Sequence, residues 1–139
     1  MRKKIIALLL IIIFLAIAGA VYLSLPRDGF PGTKMIVNHP QLAASAANGR
    51  PTMIYFSTVD CPACIMEDMV LEDLIPVYNG THNFVLLKFD QNLSGVFQDW
   101  SVIKVPTLIF ADRSGTIKER LDGQYLAEDA LREKLERLG

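Results

Sequence analysis

The sequence predicts an α/β domain, a mixed central sheet with helices on both faces, carried behind one N-terminal transmembrane helix. Three observations lead there. Residues Ile5 to Leu25 hold no charge. Beyond them, short β-branched and aromatic runs alternate with segments of helical period. The last two strand-like runs are joined by a tight turn, which adds an antiparallel hairpin to an otherwise parallel arrangement.

The apolar run, IIALLLIIIFLAIAGAVYLSL, covers 21 positions. At helical rise it extends about 31 Å, close to the roughly 30 Å of a bilayer core. Arg2, Lys3 and Lys4 precede it and mark residues 1–4 as a short cytoplasmic N-terminus, with the remainder exported. The alternative is a cleaved signal peptide, for which Ala18-Gly19-Ala20 is a fair cleavage site. Spanning length favours the uncleaved anchor, with residues 5–25 in the lipid bilayer of the inner membrane. Either reading places the following domain in the extracytoplasmic or periplasmic space, which is oxidising and permits disulfides.

Of the 14 basic residues three lie before the anchor, so the remainder carries 11 against 15 acidic side chains, a net charge of −4. No basic stripe survives, which argues against nucleic acid as a partner. Residues 26–35 begin PRDGFPGT, a Pro- and Gly-rich linker. The domain then occupies 36–139, long enough to bury its own core.

Within it, NHPQLAASAANGR reads as a short helix capped by Asn38 and ended by Asn48-Gly49. PTMIYFS (51–57) is a near-continuous apolar run, as in a buried central strand. Ile65, Met66, Met69, Val70 and Leu74 then recur at helical spacing until Pro76 interrupts. NFVLLKFD (83–90) is a second buried strand and LSGVFQDW a short helix. PTLIFAD and GTIKERL form the hairpin around Asp112-Arg113-Ser114-Gly115. Leu126, Ala130, Leu131, Leu135 and Leu138 share one face of the closing helix.

The chemistry concentrates in Asp60-Cys61-Pro62-Ala63-Cys64, which contains both cysteines of the chain. A structural zinc needs four ligands, and His39 and His82 have no ligand-like spacing to the pair. Cu(I) could draw on Met66 and Met69, although their place on the apolar stripe favours core packing. No metal and no cofactor is therefore expected. A purely structural disulfide across two residues removes little unfolded-state entropy and would be a weak staple. A redox pair has support from placement, after a buried strand and at the start of a helix. There Pro62 fits the first turn, and the helix dipole with its free amides favours a Cys61 thiolate. Cys61 is the candidate nucleophile and Cys64, one turn in, the resolving cysteine.

A second marker is KVPTLIF, with Pro106 at a strand entry 42 residues after Cys64. With the CxxC, Phe89-Asp90-Gln91-Asn92 and Val105-Pro106-Thr107, residues 36–138 resemble the thioredoxin family. The nearest likeness is to membrane-tethered bacterial members, such as the C-terminal domain of the transmembrane thiol:disulfide interchange reductase and the thioredoxins of cytochrome c maturation. The resemblance implies a cis Pro106 beside the cysteines and a substrate groove that Val105, Pro106 and Thr107 help to form. It also implies a thiol:disulfide oxidoreductase acting on disulfides of exported proteins or apocytochromes, with a membrane thiol electron donor as a further partner.

The chain departs from that pattern in its flanks. The family's buried acid is replaced by Tyr55, the lysine facing it falls by register on Leu86 with Lys88 two residues on, and Asp60 stands where the family has tryptophan. Tyr55 is expected to pack in the core, and Glu67 and Glu72 to be solvated on the helix surface. Pro62 and Ala63 tune the pair: Ala63 cannot stabilise a thiolate as the histidine of oxidant relatives does, and the Asp60 charge opposes it. Both effects favour a reductant. An oxidase or isomerase, and a non-catalytic metal- or peptide-binding module, are the alternatives.

Overall fold

The computed structural model describes residues 1–24 and 29–139. Leu25, the last residue of the expected anchor, and Pro26 to Asp28 of the expected linker lie outside the described residues. Helix α1 (Arg2–Ser24) contains a 20-residue stretch, Lys4–Leu23, apolar and long enough to cross a membrane, with none of it buried against protein. A helix that exposes apolar groups on all sides suits lipid as its solvent.

The domain runs α2 (Pro40–Ala47), β1 (Thr52–Ser57), α3 (Pro62–Tyr78), β2 (Asn83–Lys88), α4 (Ser94–Asp99), β3 (Thr107–Ala111), β4 (Ile117–Asp122) and α5 (Glu128–Leu138). A single 3-10 turn, Gln91–Leu93, leads into α4. The sheet order is β2-β1-β3-β4, with β1 parallel to β2 and antiparallel to β3, and β3 antiparallel to β4. This is the expected α/β architecture with a mixed sheet.

Successive residues of a strand point to opposite faces, and β1 uses both. Ile54 and Phe56 join Leu42, Val85, Leu87, Phe97, Trp100 and Ile109 in one core, under α2 and α4. Met53 and Tyr55 join Leu71, Leu74, Leu108, Phe110, Leu131 and Leu135 in the other, under α3 and α5. All six β1 residues are buried, as the continuous apolar run requires. Each fully buried aliphatic side chain contributes about 1.5–3 kcal/mol through its transfer from water.

Four local readings are corrected. His39, not Asn38, caps α2: its Nδ1 accepts the Gln41 amide at 3.3 Å, while Asn38 bonds Asp99 and the Trp100 indole. Helix α3 continues through Pro76 to Tyr78, because proline removes only the bond to the carbonyl of Glu72, on an exposed side of the last turns. Ile65, Met66 and Met69 are at least half exposed, so the two methionines do not pack in the core. The buried stripe of α3 is instead Cys64, Glu67, Leu71 and Leu74, whose three- and four-residue spacing follows the helical period equally well.

The described part of the Pro- and Gly-rich stretch also differs from a free linker. Residues 30–33 form a turn, in which the Thr33 amide donates to Phe30 O, and the stretch is tied to the start of β4 and the turn before it: the Gly32 amide donates to Ile117 O, the Met35 amide to Gly115 O, and Lys34 pairs antiparallel with Thr116. Gly29 has φ +80° and approaches Trp100 so closely that a Cβ would sit 3.2 Å from the indole. Only glycine meets both conditions cheaply.

Arg120 fastens this entry. Its guanidinium donates to the carbonyls of Gly29 (3.0 Å), Trp100 (2.8 Å) and Ser101 (3.1 Å), grips Asp122 at 2.9–3.0 Å, and lies 4.4 Å over the Phe30 ring. Replacing Arg120 with Ala strips all of these at once and should lower unfolding free energy by roughly 3 kcal/mol. Denaturant melts of the detergent-solubilised chain, followed by the fluorescence of its single tryptophan, measure this. A change below about 1 kcal/mol would show that the guanidinium is dispensable.

Candidate functional site

Strand β1 delivers the chain into a short loop, Thr58–Asp60, and α3 begins immediately after Cys61. Cys61 is the N-cap of α3. Its backbone is extended (φ −124°, ψ 103°) and its Sγ accepts the Cys64 amide at 3.1 Å. Pro62 occupies the first helical position, where no N–H is wanted. The sulfur thus takes the place of a capping oxygen, at the positive end of a 17-residue helix.

Cys61 and Cys64 are joined by a disulfide. Cys61 retains 7% exposure and Cys64 only 1%, so attack from outside reaches Cys61 more readily. Ala63 packs partly buried against the α3–α5 core, while Pro62 and Asp60 are exposed. The exposed carboxylate of Asp60 acts on the sulfur through solvent, where its charge is screened.

The Val105–Pro106 peptide bond is cis. Val105 packs against both cores and lines an open apolar groove of about 270 Å³ together with Thr58, Phe89, Phe97, Val102, Ile103 and Lys104. The Pro106 carbonyl receives the Gly123 amide at 2.8 Å, which fixes the loop to the end of β4. Thr107 is fully buried; its hydroxyl lies 2.7 Å from Lys104 O and 3.0 Å from Asp122 Oδ1. Its side chain therefore braces the loop from within, and the surface at this point belongs to Val105 and Ile103. The two histidines stand in other roles: His39 caps α2, and the buried His82 lies 2.9 Å from Leu135 O.

Beneath the cysteines the polar groups are rearranged. Tyr55 is buried as expected, faces Leu86 in the parallel register, and donates its hydroxyl to the Cys64 carbonyl at 3.0 Å. Burial first, and then the nearby Asp68 carboxylate, raise its pKa, so it remains a phenol. Lys88 pairs with Asp68 at 3.3 Å. The acid missing at position 55 is thus matched by one from α3, closing on the lysine two residues beyond the register position.

Glu67 is the residue that sequence reasoning misplaced. It is fully buried rather than solvated. One oxygen accepts the Leu126 amide at 2.8 Å; the other is buried without a hydrogen-bond partner among the described residues. Desolvation raises its pKa to about 7, with Asp68 adding to the shift and the Leu126 amide opposing it. The available signal was the period: 64, 67, 71 and 74 form one helical face, with an acid inside an otherwise apolar stripe.

Residues 39–139 match the family profile described as a thioredoxin-like domain. The thiol:disulfide interchange protein TxlA homolog of Synechocystis is 31% identical over 123 residues, covering 85% of this chain and 68% of that protein. Among solved structures, a secreted Mycobacterium tuberculosis disulfide oxidoreductase homologous to E. coli DsbE superposes with a TM-score of 0.60 at 20% identity, over 70% of this chain and 87% of that one. Fasciola hepatica thioredoxin superposes with a TM-score of 0.56 at 26% identity, over 66% and 83%.

The Glu67 shift has a thermodynamic consequence. Its folded pKa, about 7, lies above the ordinary value of 4.5, so folding favours the protonated form. Stability from this group is complete below pH 4.5 and is lost as pH rises through 7. Glu67→Gln should abolish that loss, worth on the order of 3 kcal/mol between the two limits. Urea unfolding of both proteins at pH 4.5 and pH 8 tests it; parallel pH dependences would refute the buried-acid assignment.

Proposed function

The chain belongs to the thioredoxin-like domain family, and from that premise we propose a thiol:disulfide oxidoreductase that works through a Cys61/Cys64 dithiol–disulfide cycle. In this reading residues 1–4 are cytoplasmic, 5–25 anchor the protein in the cell membrane, and the domain acts on the extracytoplasmic side. The observation that carries the assignment is Cys61 Sγ as the cap of α3, accepting the Cys64 amide. A sulfur so placed is stabilised as a thiolate by a directed N–H and by the helix dipole.

The cycle follows from the unequal burial of the two sulfurs. The Cys61 thiolate attacks one sulfur of a substrate disulfide, forming a mixed disulfide and expelling the other sulfur as a thiolate, which takes up a proton. Cys64 then loses its proton and attacks Cys61 Sγ, releasing the second substrate thiol. Two electrons have passed to the substrate, and the pair is left oxidised, as in the structure. Glu67, one turn beyond Cys64 on the buried face of α3, titrates near neutrality and suits the uptake of that proton.

The groove lined by Val105, next to the buried Pro106, supports binding of an extended polypeptide, with Thr107 holding the loop in shape. The relative's activity in thiol:disulfide interchange supports the same chemistry here. Ala63 and Asp60 offer no extra thiolate stabilisation beyond the helix cap, which favours electron donation to disulfides of exported proteins or apocytochromes. A reductant in an oxidising compartment is consumed with each turnover, so the reading requires a membrane thiol donor to restore it.

Cys64→Ser in the full chain should accumulate mixed disulfides on Cys61, and Cys61→Ser should form none while losing at least roughly a thousandfold in disulfide reduction. Equilibration of the wild-type pair with glutathione should give a potential below about −220 mV. A value near −120 mV, typical of strong oxidants, would reverse the direction. Unchanged function in the double serine variant would leave a non-catalytic binding module.

A further inference from the structure

Strand β2 is an open edge of the sheet. It pairs only with β1, and residues 32–35 are bonded at the opposite edge, to the start of β4 and the turn before it. The Asn83 and Phe89 amides donate to Pro51 O and Ser57 O, both at 2.8 Å. Alternate residues of a strand turn their backbone groups to opposite sides, so residues 83, 85, 87 and 89 face β1 while Phe84, Leu86 and Lys88 face outward. None of these three has a backbone partner at that edge among the described residues.

Little blunts this edge. It carries no proline and one charge, Lys88, and Leu86 is 45% exposed. On one face Leu86 borders an open hollow of about 240 Å³ with Tyr55, Leu71, Glu72 and Ile75. A second hollow, of about 400 Å³, crosses the edge from Ala44 of α2 over Phe84 and Val85 to Asn79 beyond α3.

A second copy of β2 complements this edge. Antiparallel pairing about a two-fold axis at Leu86 sets Leu86 opposite Leu86, and Phe84 opposite Lys88 on either side. Every outward N–H and C=O of the three residues is then paired. Moving the axis to Val85 leaves Lys88 unpaired, and moving it to Leu87 leaves Phe84 unpaired. Charge fits as well. The second copy's Lys88 lies diagonal to Leu86, beside the hollow that Glu72 lines, and Glu72 has no ion pair among the described residues.

The chain's entry agrees with the same axis. Arg120 stands opposite Ile109, on the face of the sheet covered by α2 and α4, and there it holds the Gly29 carbonyl. A two-fold axis that extends one sheet into another is perpendicular to both and keeps equivalent faces on one side. Both chains therefore enter from the same side, and both copies of α1 can lie in one membrane.

We propose that the chain forms a two-fold dimer in which β2 pairs with β2 of a second copy, antiparallel about Leu86, as one continuous sheet. The inference rests on the reading of residues 5–25 as an anchor, which confines the two edges to one surface and raises their effective concentration. Because β1 is parallel to β2, the two Cys61 sites fall at opposite ends of the dimer.

The test uses the full chain with Cys61→Ser and Cys64→Ser, so that no native thiol competes, in phosphatidylcholine liposomes. Residues opposed in a hydrogen-bonded pair have Cα atoms about 5.5 Å apart, within disulfide range. An added Leu86→Cys should therefore shift the chain from monomer to dimer mass on a non-reducing gel after mild oxidation. Phe84→Cys alone should stay monomeric, since its two copies lie about 13 Å apart across the axis. A mixture of Phe84→Cys and Lys88→Cys chains should link. In detergent the parent chain should sediment as a dimer and Leu86→Pro, which removes an outward N–H, as a monomer. No linking at Leu86→Cys, equal linking by Phe84→Cys alone, or a monomeric parent overturns the proposal. If those chains still float with the liposomes the anchor reading stands, and the edge is left to an extended polypeptide. Chains that do not float overturn the anchor reading and the proposal with it.

Discussion

Arg120 holds together parts of the chain that are far apart in sequence. Its guanidinium joins the entry at Gly29, the turn at Trp100 and Ser101, and Asp122 at the end of β4. Asp122 in turn lies within hydrogen-bond distance of Thr107, the residue after the cis-proline. A cation with a side chain only 2% exposed is costly unless its donors are satisfied, and here three carbonyls and a carboxylate satisfy them. The same contacts hold Ser101 at φ 51°, a left-handed conformation that costs a non-glycine residue on the order of 1 kcal/mol. Placement of the loop from 101 to 107, and with it the groove that Val102 to Val105 line, depends on this one buried charge.

Around the cysteines the energetics are those of a helix start. The leading amides of α3 have no acceptors within the helix; Pro62 brings none, and the sulfur at the cap answers that of Cys64. Deeper on the same face, Glu67 tolerates burial with only one oxygen bonded, an arrangement that favours its neutral form. An unpaired acid in a core is destabilising at neutral pH. Its position one turn from Cys64, within a face that is otherwise apolar, is what supports its place in the proposed cycle.

Much of this was legible in the chain. The alternation of apolar runs and helical periods places every strand and helix of the domain, because each element needs only its own residues to declare a face. The cysteine pair and Pro106 were visible as residue types in a pattern. The helix cap at His39 was not, since Asn38 is the better capping residue by type and is diverted to Trp100 by a contact 62 positions away. The buried stripe of α3 was also misread: Ile65, Met66 and Met69 fit the helical period as well as Cys64, Leu71 and Leu74 do, and hydrophobicity alone does not choose between overlapping faces.

The sequence by itself determined the apolar N-terminal helix, the order of elements, and a two-cysteine motif at a helix start, because these depend on short-range periodicity, charge and steric preference. Tertiary structure decided which face of α3 is buried, and so turned Glu67 from a surface acid into one that titrates near neutrality. It also decided that residues 29–35 are bound to the start of β4 and to the Arg120 side chain rather than forming a free linker. Both outcomes arise from contacts between segments some 60 to 90 residues apart, Leu126 with Glu67 and Arg120 with Gly29. No local pattern encodes such contacts, since burial and desolvation belong to the assembled core.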